Sequence, residues 1–148
     1  MTRTAVAIWR GGPGAGEGSV STSSGVIANA LYSFSSGTGN EPCTSPSEML
    51  AAAVASCMSL MVTQEMARAG LRGEYVKTES ILTLEEKQHR WHIAGIQLNV
   101  TADVAQRNAE KFEHACKSAR RKCPISCALR IPIKMTTQLQ AESHAAAA

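Results

Sequence analysis

Short stretches in which apolar and polar residues alternate predict β-strands near both ends of the chain and in its middle. They cover residues 4–9, 19–22, 27–34, 76–85, 91–101 and 131–139. Alternation places successive side chains on opposite faces, so each strand can turn one face to a core. The two middle strands, joined by five polar residues, are predicted to pair antiparallel, and Pro132 predicts an edge position for the last strand.

A helical pattern begins at Ser45. Ser45 fits an N-cap, Pro46 the first helical position, and Glu48 the third, which together form a capping box. Apolar residues then recur at helical spacing and predict a helix over residues 46–69. Because this segment is rich in Ala and Met and carries no charge between Glu48 and Glu65, we expect burial on nearly all its faces.

A second helix is predicted from Asp103 to about Arg121, with Phe112 and Cys116 on its apolar face. The order strands, helix, two strands, helix, strand predicts an α+β fold. We expect residues 1–140 to form a single domain and residues 141–148 to be a disordered C-terminal tail. One small sheet would hardly cover the first helix, so a partner subunit is expected to do so.

Composition and charge exclude several classes of protein. The apolar fraction of 44% and charged fraction of 18% are ordinary for a globular protein, and a net charge of +3 is too small to predict a nucleic-acid partner. The glycine-rich segment 11–18 lacks the spacing of a phosphate-binding loop and is predicted to be a hairpin connection. No apolar run of about 18 residues and no signal-peptide pattern occur, which predicts a cytoplasmic protein without a membrane partner.

Candidate chemistry rests on the cysteines Cys43, Cys57, Cys116, Cys123 and Cys127. An odd number without small-scaffold spacing argues against a secreted disulfide framework. From its position alone, Cys57 on the inward face of the first helix is either a small buried hydrophobic residue or a reactive thiol that needs a nearby cation or hydrogen-bond donor.

Cys123 has a different setting. Pro124 can open a short helix with Cys123 as its N-cap, and four basic residues precede it between positions 117 and 122; both features favour a thiolate. An incidental loop cysteine and a metal pair with Cys127 are the alternatives. Without a second pair or a well-spaced histidine, the metal pair is weakly supported, and no metal is predicted.

Several motifs together resemble the OsmC/Ohr family of organic hydroperoxide reductases. They are Val20-Ser21-Thr22, Ser24-Gly25-Val26, Tyr32-x-Phe34, Pro46-Ser47-Glu48-Met49-Leu50 leading to Ala55-Ser56-Cys57, and Cys123-Pro124-Ile125-Ser126. The resemblance is roughly collinear over residues 8–139, and the Tyr-x-Phe pair leans toward the OsmC branch.

The resemblance implies an OsmC-like α+β fold: antiparallel sheets, a long buried central helix and a second helix, in an intertwined homodimer with its active sites at the interface. Cys57 matches the family's peroxidatic cysteine and Cys123 its resolving cysteine. The implied function is defence against oxidative stress by reducing organic hydroperoxides to alcohols, through a Cys57 sulfenic acid and a Cys57–Cys123 disulfide. An external dithiol, typically lipoyl-type, would reduce that disulfide, so no cofactor is expected. The other three cysteines match no family motif.

Two positions depart from the family pattern. The Arg that activates the peroxidatic thiol is absent after the Tyr-x-Phe pair, and the Glu expected directly after the helix-opening Pro is replaced by Ser47, with Glu48 following. Arg10 is the candidate substitute, Ser47 and Glu48 are candidate pocket residues, and Arg68 and Arg72 are weaker candidates. These departures support a second hypothesis, a catalytically weak family member that binds a small apolar ligand at the dimer interface or senses redox state.

Overall fold

A computed structural model of the chain describes residues 1–12, 16–33 and 42–140. Phe34, the segment 35–39 that lacks the family's Arg, and the predicted tail 141–148 lie outside these residues. The chain divides into two compact units, Met1–Leu50 and Ala51–Ala148, each described by itself below.

The order of elements is that of an α+β protein. The strands are β1 (Ala5–Arg10), β2 (Glu17–Thr22), β3 (Ala30–Tyr32), β4 (Val76–Lys87), β5 (Arg90–Ala102) and β6 (Ile133–Leu139). The helices are α1 (Pro46–Arg68), α2 (Ala109–Lys122) and α3 (Pro124–Ala128), with a short 3₁₀ turn at Gln106–Asn108 before α2. The predicted fold class is therefore confirmed, and each predicted strand and helix is present with shifted ends.

The first unit contains an antiparallel sheet in the order β1-β2-β3. Gly18 on β2 is required there, since a Cβ atom would lie 2.6 Å from the Tyr32 ring and 2.9 Å from the Trp9 ring. The two rings pack with their centroids 5.9 Å apart. The glycine on the central strand thus makes room for an aromatic pair contributed by its two neighbours.

The predicted capping box is present at the start of α1. Ser45 Oγ accepts a hydrogen bond from the Glu48 backbone N–H at 3.2 Å, and Glu48 Oε2 accepts one from the Ser45 backbone N–H at 3.1 Å. Thr44 Oγ1 also donates to Glu48 Oε2, at 3.0 Å. This reciprocal pair satisfies backbone donors that a helix N-terminus otherwise leaves unpaired.

The chain by itself buries one side of α1. Val54, Met58, Val62 and Met66 are buried, whereas Leu60 is 64% exposed. By length and composition α1 is also long and apolar enough to cross a bilayer. A core helix passes the same test, so this feature alone does not assign α1 to a membrane.

The second unit contains a sheet in the order β4-β5-β6. The hairpin between β4 and β5 turns on two residues only, Gln88 and His89, both with positive φ, where a five-residue connection was predicted. The polar residues on either side of this turn are exposed. They can therefore pair as strand residues without burying a polar side chain. The expectation of antiparallel sheets needs one correction: β6 runs parallel to β5, because the helices between them carry the chain back to the starting end of β5.

The core of the second unit lies on the face of β5 where Ile96, Leu98 and Val100 are buried, as alternation predicted. From α2, Phe112, Ala115, Cys116 and Ala119 are also buried. The edge position of β6, predicted from Pro132, is confirmed within this three-stranded sheet. The alternating burial of Ile133, Met135, Thr137 and Leu139 also agrees with the prediction.

Replacing Leu98 by Ala should lower the free energy of unfolding by about 2–5 kcal/mol, because Leu98 is 0% exposed and its removal leaves a cavity. The matched control is Leu84→Ala on β4, where the side chain is 44% exposed and the expected loss is below about 1 kcal/mol. Urea denaturation measures both. Equal losses would show that the buried face of β5 is not the core.

Candidate redox site

Two thiols that are 66 positions apart meet in the second unit. Cys57 lies in the middle of α1, and Cys123 lies between α2 and α3. Their sulfur atoms are 2.9 Å apart and form an S–H···S hydrogen bond. Both cysteines are free, and the separation exceeds the length of a disulfide, about 2.05 Å. The structure thus places a reduced dithiol at a distance from which a small movement closes the bond.

Cys123 is the N-cap of α3, as the sequence predicts. Pro124 occupies the start of the helix, and Cys123 Sγ accepts hydrogen bonds from the Ser126 backbone N–H at 3.5 Å and from Ser126 Oγ at 3.3 Å. The backbone N–H of Cys123 in turn closes the end of α2 on the Ala119 carbonyl at 2.9 Å. The thiol is therefore fixed at a junction of two helices with two donors aimed at its sulfur.

The two thiols have pKa values shifted in opposite directions. Burial opposes ionisation of Cys123, but hydrogen bonds from Cys57 and Ser126 outweigh it and lower the pKa of Cys123. Burial raises the pKa of Cys57, and its hydrogen bond with Cys123 raises it further, partly opposed by the Ile125 backbone N–H. Because Ser126 directs two donors at Cys123 Sγ, a negative charge on the pair is better stabilised at Cys123 than at Cys57.

Access to the two sulfurs is also unequal. Cys123 is 0% exposed, whereas Cys57 is half-buried. A molecule approaching from solvent therefore meets Cys57 first. Leu60 and Met61, one turn further along α1, present apolar side chains near this approach, and neither is fully buried. The thiol with the lowered pKa is thus the inner one, and the thiol with the raised pKa is the accessible one.

A buried carboxylate near the pair was not predicted from the sequence. Glu65 on α1 is 7% exposed and accepts hydrogen bonds from Ser118 Oγ and Lys122 Nζ, both at 2.7 Å. Arg68 also pairs with Glu65. The Lys122 hydrogen bond is the main cause that lowers the pKa of Glu65 to about 2, followed by that of Ser118. In the sequence, only the four-residue spacing of Ser118 and Lys122 on α2 could have suggested that one buried group contacts both.

The other three cysteines have separate surroundings. Cys116 is buried in the core, where desolvation, aided by the Glu113 charge, raises its pKa to about 12. Cys127 is exposed and donates to the Arg121 carbonyl oxygen at 3.2 Å. In the first unit, Cys43 Sγ lies 3.4 Å from Ser33 Oγ. Cys127 therefore turns toward the end of α2, while Cys123 turns toward Cys57, which gives no support to a metal pair.

The candidate activating residues belong mainly to the first unit. Arg10 ends β1 with an exposed side chain, and Ser47 and Glu48 contribute to the α1 cap, where Ser47 Oγ lies 3.0 Å from Ser45 Oγ. That Arg10 activates the thiols, or that Ser47 and Glu48 line a pocket beside them, stays a prediction. Among the described residues of the second unit, no Arg or Lys forms a hydrogen bond or an ion pair with Cys57; Arg68 instead pairs with Glu65.

An α+β chain with a reduced dithiol between a long helix and a short one defines a class of thiol-based redox protein. The family profile described as OsmC-like protein matches residues 37–138. Peroxiredoxin OsmC of Escherichia coli (strain K12) is 30% identical over 132 residues, which are 89% of this chain and 92% of that protein. The chain belongs to the OsmC family.

Solved structures agree on the fold. An OsmC-like protein of unknown function from Vibrio cholerae matches with a TM-score of 0.77 at 14% identity and covers 93% of this chain and 99% of that one. The organic hydroperoxide resistance protein OhrB of Bacillus subtilis matches with a TM-score of 0.64 at 22% identity, over 93% and 98% of the two chains. The predicted resemblance and the predicted OsmC-like fold are both confirmed.

Replacing Ser126 by Ala should raise the pKa of Cys123, because the thiolate loses the hydroxyl donor at 3.3 Å, one of the hydrogen bonds that lower its pKa. The measurement is the ¹³Cβ chemical shift of Cys123 as a function of pH in cysteine-labelled protein. Ser23→Ala, in the exposed turn after β2, is the control and should leave the titration unchanged. An unchanged or lower pKa in Ser126→Ala would contradict the assignment of Cys123 as the thiolate.

Proposed function

We propose that this protein is a thiol peroxidase that reduces organic hydroperoxides to alcohols in defence against oxidative stress. The observation that supports this most directly is the 2.9 Å contact between Cys57 and Cys123. Peroxides oxidise a thiolate to a sulfenic acid, which a neighbouring thiol condenses to a disulfide. The E. coli relative is named a peroxiredoxin and the B. subtilis neighbour an organic hydroperoxide resistance protein, which agrees with this chemistry.

Cys57 is the peroxidatic thiol in this proposal, because it is the accessible member of the pair. It passes its proton across the 2.9 Å contact to the Cys123 thiolate and attacks the terminal oxygen of the hydroperoxide. The O–O bond breaks, Cys57 becomes a sulfenic acid, and the alkoxide takes the proton from Cys123 and leaves as the alcohol, which returns Cys123 to the thiolate. Sulfur is oxidised by two electrons and the peroxide is reduced by two.

Cys123 then resolves the sulfenic acid. Its thiolate, stabilised by Ser126, attacks Cys57 Sγ and forms the Cys57–Cys123 disulfide, while the hydroxyl of the sulfenic acid leaves with a proton as water. The lowered pKa of Cys123 suits this step, since the thiolate is the nucleophile. An external dithiol returns the pair to the reduced state by thiol–disulfide exchange, and a lipoyl-type dithiol is our proposal for it.

The apolar surroundings of Cys57 favour an organic substrate. Leu60 and Met61 follow it on α1, and Leu60 exposes 64% of its surface. An alkyl group gains free energy by covering such side chains, whereas hydrogen peroxide has no apolar part to bury. Substrate preference should therefore increase with the size of the alkyl group.

The exposed side of α1 also supports a homodimer as part of the proposal. Leu60, near the middle of this long helix, is a largely exposed apolar side chain, and a second copy of the chain would cover it. Light scattering of the purified protein tests this, with a mass of two chains expected. A cytoplasmic location completes the proposal.

The raised pKa of Cys57 favours the second hypothesis, that of a catalytically weak protein of the same fold. Such a protein would be a slow redox sensor or a binder of a small apolar ligand. A protonated thiol reacts slowly with peroxides. In a binder, Cys57 and Cys123 would stay reduced in the presence of an alkyl hydroperoxide; in a sensor, the disulfide would form too slowly for turnover.

Variants of the two thiols separate the proposed steps. Cys57→Ser should abolish consumption of cumene hydroperoxide, because the first nucleophile is lost. Cys123→Ser should still react once and then stop as a sulfenic acid on Cys57, which dimedone traps and mass spectrometry locates. Cys43→Ser is the control and should match the unmodified protein. Full peroxide turnover by Cys57→Ser would contradict the assignment of Cys57 as the peroxidatic thiol.

A further inference from the structure

Glu65 is a buried carboxylate that the proposed chemistry does not use. It is 7% exposed, and its contacts come from three side chains: Ser118 Oγ and Lys122 Nζ at 2.7 Å each, and Arg68 on its own helix. A buried charge is unfavourable unless it is paired and hydrogen-bonded. This carboxylate is therefore held in place by its partners, two of which belong to α2.

The partners connect Glu65 to both thiols through the chain. Glu65 lies eight residues after Cys57 on α1, about two helical turns along the same rigid element. Lys122 is the last residue of α2 and directly precedes Cys123. The Glu65 carboxylate therefore joins the helix that carries one sulfur to the residue adjacent to the other.

The last turn of α2 lies at the surface, and the Glu65 contacts are the ones by which its side chains bind α1. Lys122 and its neighbours Arg120 and Arg121 are exposed. Apart from the contact between the two sulfurs, the other hydrogen bonds at this end are local to α2 and α3: the Cys123 N–H binds the Ala119 carbonyl, and Cys127 Sγ donates to the Arg121 carbonyl. The last turn of a helix frays readily. A shift there moves Cys123, and a 2.9 Å contact between sulfurs tolerates little displacement.

We propose that Glu65 is a positioning residue of the dithiol: by binding Lys122 and Ser118 it fixes the end of α2 against α1 and so holds Cys123 within reach of Cys57. This inference rests on the proposed function, because a positioned dithiol matters only if the disulfide forms in use. The closure of the disulfide can nevertheless be measured without any peroxide. Without the Glu65 carboxylate, the Cys123 sulfur samples positions away from Cys57, and closure becomes less favourable.

The test is the equilibrium between dithiol and disulfide in glutathione redox buffers. In Glu65→Gln, the equilibrium constant for forming the Cys57–Cys123 disulfide should fall by about 10- to 100-fold, since a misplacement of about 1 Å between positioned groups can cost a factor of about 100. Peptide mapping confirms which cysteines are joined. A residue that only stabilises the folded protein would lower the melting temperature and leave this constant unchanged.

Glu113→Gln is the matched control. Glu113 forms an ion pair with Lys117 on the surface of α2, so the same chemical change removes a Glu–Lys pair that does not connect the two helices. The equilibrium constant should stay within about twofold of that of the unmodified protein, because an exposed pair of this kind contributes little.

A reversed pair provides the rescue. Glu65→Lys combined with Lys122→Glu restores opposite charges between α1 and α2 and should recover part of the decrease in the equilibrium constant that Glu65→Lys alone causes.

If Glu65→Gln does not fold, Ser118→Ala removes one hydrogen bond to the carboxylate and should give a smaller fall in the same direction. An unchanged constant in folded Glu65→Gln would overturn the inference. If the dithiol closes normally in glutathione but does not react with peroxide, the proposed function fails while this inference stands.

Discussion

The contact between Cys57 and Cys123 is the constraint on which the rest of the second unit's chemistry depends. Two sulfur atoms 66 residues apart can lie at 2.9 Å only if α1, the end of α2 and the start of α3 are fixed with respect to each other. Within this unit the core residues of β5 and α2 provide a rigid base, and the two sides of the Cys123 junction are closed by backbone hydrogen bonds. The fold thus supplies proximity, which is the costliest requirement for disulfide formation.

Proximity alone does not make the two thiols equivalent. Cys57 is the accessible sulfur and has a raised pKa, whereas Cys123 is fully enclosed and has a lowered one. The N-cap position of α3 explains the second difference, because Ser126 directs two donors at one sulfur. In the proposed mechanism, the outer thiol therefore meets the substrate, and the inner thiolate accepts its proton and later closes the disulfide. Ser126 supplies these donors in a chain whose sequence after Tyr32 lacks the arginine of the family pattern.

Local signals in the sequence predicted the local structure well. The capping box at Ser45 and Glu48 and the N-cap role of Cys123 before Pro124 depend on side chains a few residues from the groups that they bind. Alternation of apolar and polar residues predicted the strands, because a strand that buries one face places an apolar residue at every second position. The hairpin was predicted at the correct place, but the turn is Gln88 and His89 alone rather than five residues. Exposed polar residues are compatible with either a loop or a strand.

Features that depend on distant parts of the chain were not predictable in the same way. The parallel pairing of β6 depends on the path through α2 and α3, and the pairing of the two sulfurs came from family resemblance rather than from position. Glu65 carries no local sign of burial, because a glutamate near the end of a helix is usually solvated. Only the structure brings Ser118 and Lys122 to it across 53 and 57 residues of chain.

The most direct test of the account is a disulfide map after brief treatment of the reduced protein with one equivalent of cumene hydroperoxide. The account predicts rapid loss of two thiols, one equivalent of alcohol, and a single new bond that joins Cys57 to Cys123, with Cys43, Cys116 and Cys127 still free. Unchanged thiols, or a bond that joins any other pair, would contradict it.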